Sequence, residues 1–317
     1  MISTPQFAAF QSVVIIPFVA GALLKNRFND PVKLTRRLVM INLVIIEPPI
    51  VFWSIWGLKI TAELIYLPVA GFCMVLFGLA AGRLFGHVIR LDNKSKTTFI
   101  ISSSIANHGF TMGGFICYLF MGEKGLGLSF IFLSYFIPYL FLVIFPYAKQ
   151  ASKGESYSLD TVKEFIKSPR NMPLYAMIVA IFMRLYGITR PMIIFPVEIL
   201  LMLSIGVYYF SLGLSFLIGD VLFYKKESLT LCMIRFLLIP AMTVIVLVFL
   251  NLDPDIESVI LIESFMPAAV YSVMSSVLFG LDERRASAMF VFNTVAFLLF
   301  VLPMMLIFIK DLRRIIS

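Results

Sequence analysis

Apolar residues fall into long runs separated by short polar or charged breaks, with neither the sustained period of an amphipathic soluble helix nor the alternation of a strand. A bilayer crossing takes roughly 20 apolar residues. On that basis the pattern predicts ten membrane spans, near residues 7–24, 38–57, 62–84, 97–121, 125–147, 171–187, 192–217, 228–250, 257–280 and 286–309. The sixth is the shortest. The longest connection, residues 148–171, contains a stretch at 159–167 that reads either as an amphipathic helix on the membrane surface or as a solvated linker.

Two runs are polar in the middle. Residues 99–122 read FIISSSIANHGFTMGGFICYLFMG, with Ser102, Ser103, Ser104, Asn107, His108 and Thr111 around Gly109, and Gly113 and Gly114 following. Residues 261–280 read LIESFMPAAVYSVMSSVLFG, with Pro267 as the interruption and Glu263, Ser264, Tyr271 and Ser275 supplying the polarity. A helix break exposed at bilayer depth leaves amides and carbonyls unpaired at several kcal/mol each, so it must be buried in protein or line a cavity. The half-helix before a break presents carbonyls and the one after it presents amides. Carbonyls near residues 104–106 and 263–265 therefore suit a cation, and amides near residues 109–111 and 268–270 suit an anion. The plainer alternative is that Pro267 only kinks a packed helix and that the glycines only allow close packing.

Composition changes the picture little. The chain is 60% hydrophobic and 14% charged, with a mean hydropathy of +0.97, against about 25% charged residues in soluble domains. An all-α polytopic membrane protein in contact with the lipid bilayer is expected. The net charge of +8 sits in short connections without interleaved aromatics, which argues against a nucleic-acid partner. Cys73, Cys117 and Cys232 lie in apolar runs without paired spacing, so neither a disulfide framework nor a metal site is implied. There is no H-E-x-x-H, G-x-S-x-G or phosphate loop, so no enzyme and no cofactor is expected. No Lys or Arg precedes Lys25, and the first run is expected to be retained as a span rather than cleaved as a signal peptide.

Alternate connections hold 18 and 7 of the lysines and arginines, with Arg235 left inside a span. The basic side is cytoplasmic, which places both termini outside. A shift of 160 residues lays Asn107 on Pro267 and most spans of the first half on those of the second. Five spans reverse direction, so the halves are expected to be inverted repeats. Residues 1–150 form the first, 151–170 a cytoplasmic connector and 171–317 the second. Inverted repeats with interrupted helices at matching positions mark secondary transporters whose site lies where the breaks meet.

The carboxylates expected deepest in the membrane are Glu47, before Pro48 and Pro49, and Glu263, four residues before Pro267. A charge there costs at least ~2.5–3.5 kcal/mol, so each needs a partner, a water path or a proton. Either suits ion coupling. The alternative for both is a protonated acid bonded to a carbonyl that the prolines release. His108 fits substrate binding or proton relay, and equally a neutral ring donating to the backbone. Arg235, about one turn into the eighth span, is expected to snorkel to the cytoplasmic interface rather than meet a substrate.

Residues 104–113 (SIANHGFTMG) with the turn 121–126 (MGEKGL) are similar to the fourth span of the auxin efflux carrier family. Residues 264–270 (SFMPAAV), then Phe279-Gly280, Asp282-Glu283 and residues 286–288, are similar to its ninth span and the start of its tenth. The resemblance implies ten helices in two inverted five-helix repeats, with broken helices four and nine crossed. It also implies transport of organic anions such as carboxylates, at a site lined by Asn107 and the Pro267 region. On this reading His108, Gly109, Met266 and Ala268 complete the substrate site, and Glu263 and Glu47 couple ions. Phe115 stands where the family often has a proline, and the long hydrophilic middle loop of plant carriers is missing. Glu263 before Met266 also resembles the bile-acid sodium symporters, where an acid in span nine helps bind sodium.

The sequence thus leads to a secondary active carrier for a small organic anion, proton-linked, in a bacterial inner membrane, with room for a homodimer. Sodium coupling is the alternative within transport, and a non-transporting receptor is the alternative outside it.

Overall fold

The structure, a computed structural model, describes residues 4–108, 112–151, 167–214 and 222–308. Gly109, and residues 159–166 of the expected surface helix, lie outside these. The described chain is helical, which is how an apolar backbone pairs its own amides and carbonyls where no water can. Helix α1 is Thr4–Leu24, α2 Pro31–Trp56, α3 Ala62–Val88, α4 Asn93–Ser104 and α5 Gly113–Ala151. They are followed by α6 Met172–Leu185, α7 Val197–Leu214, α8 Lys225–Val248, α9 Pro254–Ser264, α10 Val270–Leu278 and α11 Glu283–Phe308. Among the described residues α2, α3, α5, α7, α8 and α11 are each long and apolar enough to cross a membrane.

Local chemistry sets where several of these helices begin and turn. Asp30, Asp92, Asp253 and Asp282 cap α2, α4, α9 and α11, each accepting at least one amide of the first turn. Hydrogen bonding from the side chain and then the backbone of Ser95 holds the Asp92 carboxyl below the usual carboxylate range. Gly122 breaks α5 with φ 64°, and Gly280 follows α10 with φ 59°, a backbone state that costs glycine little. Short π-helical segments interrupt α2 at Asn42–Ile46, α5 at Leu140–Ile144, α8 at Ile234–Leu238 and α11 at Phe297–Val301.

Many large apolar side chains are exposed on the surface, among them Leu23, Leu142, Leu237, Ile245 and Phe300. So much exposed hydrocarbon would drive aggregation in water, whereas in a bilayer it faces its own solvent. The chain forms two compact units that are not contiguous in sequence. The first comprises Met1–Ala62, Gly114–Ile131 and Val162–Phe216; the second comprises Glu63–Gly113, Phe132–Thr161 and Leu217–Ser317. Within the first, α1 and α7 approach to backbone contact where Gly21 faces Phe210 and Gly213 faces Phe18. The second holds both breaks, around Asn107 and around Pro267.

Candidate functional site

Both polar runs are genuinely interrupted. Helix α4 stops at Ser104, and Ile105 is extended (φ −88°, ψ 132°); α9 stops at Ser264, and α10 begins at Val270. The two broken segments meet in an antiparallel bridge between Ala106 and Ala268. The Asn107 amide donates to the Pro267 carbonyl at 2.7 Å, and the Ala269 amide donates to the Ile105 carbonyl at 3.1 Å. Proline has no amide and forces the break, and its carbonyl is then used by the opposite break. Each pairing removes a backbone group that burial would otherwise leave unsatisfied.

Two of the serines before the first break bond to main-chain carbonyls. Ser103 Oγ donates to the Phe99 carbonyl at 2.8 Å, and Ser104 Oγ donates to the Val75 carbonyl of α3 at 2.8 Å while meeting the Tyr139 hydroxyl. Asn107, 6% exposed, keeps its own carbonyl on the Gly113 amide at 3.2 Å. His108 is wholly buried: its Nδ1 lies 2.6 Å from the Tyr135 hydroxyl, its ring meets Phe132 edge-on at 5.0 Å, and it faces the main chain of Glu263.

Glu263 is also fully buried, on the last turn of α9, with its carboxylate against Gly113 at the start of α5, where a β-carbon would overlap it. A carboxylate there faces the positive end of a half-helix. The structure therefore gathers Asn107, His108, Glu263, Met266, Pro267 and Ala268 in the second unit. Glu47 belongs to the first. Asn42 Nδ2 donates to its Oε1 at 2.9 Å, and Ser204 of α7 faces its carboxyl. Its carboxyl thus meets an amide side chain and a serine rather than a carbonyl released by proline.

Arg235 overturns the expectation that it reaches the interface. It is 0% exposed, and its Nε and Nη2 donate to the Met266 carbonyl at 3.1 and 2.8 Å. That carbonyl lies just past the negative end of α9, which a guanidinium stabilises better than water can at this depth. Asn293 was missed altogether. Its Oδ1 accepts the Ala268 amide at 2.7 Å, and its Nδ2 donates to Cys232 Sγ at 3.2 Å. The Ala268 amide, expected to meet an anion, is thus held by the protein, as is that of Ala269. A lone asparagine inside an apolar span was the available signal. For Asn42 there was little signal. It precedes Glu47 by five residues, and helix neighbours normally stand three or four apart; the π turn at Asn42–Ile46 closes the gap.

A family profile described as "Membrane transport protein" (Mem_trans) matches residues 31–306. The chain is also similar to "Uncharacterized transporter MJ1031" of Methanocaldococcus jannaschii, 26% identical over 247 residues, which are 76% of this chain and 78% of that protein.

Proposed function

Because the chain belongs to the Mem_trans membrane transport family, the auxin efflux carrier family, we propose that it is a secondary active carrier of a small organic anion, proton-linked and working by alternating access. The observation that carries this reading is the Ala106–Ala268 crossing, where two interrupted helices exchange main-chain bonds beside Asn107, His108, Glu263 and Arg235. A receptor or scaffold gives no reason for two breaks that meet.

Symmetry of the breaks supports two inverted five-helix repeats. The two crossing bonds interchange when residues 105 and 107 are paired with 267 and 269. Helices α4 and α9 both start at an aspartate cap, Asp92 and Asp253, and end at a serine, Ser104 and Ser264. Gly122 and Gly280 close the two second half-helices with positive φ, and π segments follow in α5 and α11. The basic excess of alternate connections supports both termini outside.

Glu263 is the proposed coupling group. As a carboxylate it occupies the half-helix end at Gly113; once protonated it frees that end for the carried anion, so proton and anion move together. Proteoliposome uptake of labelled mono- and dicarboxylates, with pH and sodium gradients imposed separately, tests this. Accumulation driven by the pH gradient is expected. No uptake of any carboxylate by well-incorporated protein would remove the anion-carrier reading.

A further inference from the structure

Arg235 is the one charge at the crossing that the coupling scheme leaves unused. It sits in the π segment Ile234–Leu238 of α8, and among the described residues it is one of the largest fully buried side chains. An extra residue in a helical turn commonly re-aims a side chain at a functional position. Burying a guanidinium costs several kcal/mol, which survives only where partners compensate. Those present are the Met266 carbonyl, which takes Nε and Nη2, and the Tyr135 side chain nearby. Its Nη1 is buried and has no hydrogen-bond partner among the described residues. A structural arginine would be expected to have all its buried donors satisfied.

We propose that Arg235 is the resident cation of the crossing: held on the Met266 carbonyl, it takes the place of a co-transported metal cation there and offers Nη1 to a carboxylate oxygen of the carried anion. This rests on the anion-carrier reading and adds a substrate ligand to it. The planar fork suits both tasks, because one edge can hold a carbonyl while another donor pairs with a carboxylate. A carbonyl already capped by a tethered cation has no need of sodium.

Thermal unfolding of the purified full chain, titrated with acetate, lactate or malate as choline or sodium salts, tests the proposal. For the wild type a carboxylate-dependent rise in midpoint is expected that is the same in choline and in sodium. Arg235→Gln keeps a donor for the Met266 carbonyl but loses the charge. It should weaken the apparent affinity about ten- to hundredfold, the range for one hydrogen bond to a charged group. Wild-type affinity in Arg235→Gln, or a wild-type response that requires sodium, overturns the proposal while leaving the carrier reading intact. No response of the wild type to any carboxylate removes both. If Arg235→Gln does not fold, Arg235→Lys keeps the charge, and Arg235→Ala can be supplied with guanidinium at a non-denaturing concentration. Affinity restored by guanidinium supports the resident cation. A folded Arg235→Lys that does not bind, together with a folded Arg235→Ala that guanidinium does not rescue, overturns it.

Discussion

The Glu263 carboxylate lies against Gly113, the first residue of α5, so closely that a β-carbon on Gly113 would occupy its place. The acid of one broken helix thereby sits at the amide end of the other. Arg235 does the converse at the carbonyl end of α9. Among the described residues, the crossing thus pairs an acidic side chain with one half-helix end and a basic side chain with another.

Gly113→Ala should therefore destabilise the protein by about 1–3 kcal/mol, the usual cost of an extra methyl in a packed interior. Shortening the acid makes room, so Gly113→Ala should cost clearly less in a Glu263→Ala background. Denaturant unfolding of the four proteins in detergent checks this. An equal loss in both backgrounds would place the carboxylate elsewhere.

Glu263→Gln keeps the shape of the side chain and removes its charge. The variant should still exchange labelled for unlabelled anion across a liposome membrane, but should no longer accumulate anion under an imposed pH gradient. A structural glutamate would lose or keep both activities together. Wild-type accumulation at equal protein incorporation would move the coupling role to Glu47 or His108.

Asn107 makes two main-chain bonds in the crossing, to Pro267 and from Gly113, and neither needs its side chain. Asn107→Leu should therefore leave the crossing assembled and the protein folded, while removing the amide's two donors and one acceptor from the site. Loss of carboxylate binding by at least about tenfold, with a near-normal unfolding midpoint, is expected, since one or two hydrogen bonds are removed. Unchanged affinity would exclude this side chain as a ligand.

Sidedness can be read in intact cells after replacing Cys73, Cys117 and Cys232. A single cysteine at Asn29, exposed beside the basic segment that precedes α2, should be shielded from an impermeant thiol reagent. One at Asn251, exposed in the turn before α9, should react. The reverse pattern would invert the proposed topology.

What the sequence determined by itself is what depends on neighbours along the chain. Run length places the helices, because hydrocarbon thickness and helical rise leave little freedom. Pro267 and the polar residues around Asn107 locate the breaks, because a missing amide or competing side chains act within a turn. Aspartates before α2, α4, α9 and α11 mark their starts for the same reason. What only the tertiary structure decided is which distant group satisfies each one left over. Ala106 meets Ala268, Asn293 takes the Ala268 amide, and Arg235, charged deep in an apolar run, turns inward to Met266 instead of outward to the headgroups. Snorkelling depends only on depth, but a buried cation is held by a carbonyl some thirty residues away, and no local pattern records that distance. Glu47 and Asn42 show the same limit on a smaller scale, since one extra residue in a helical turn brings together side chains that the ordinary period holds apart.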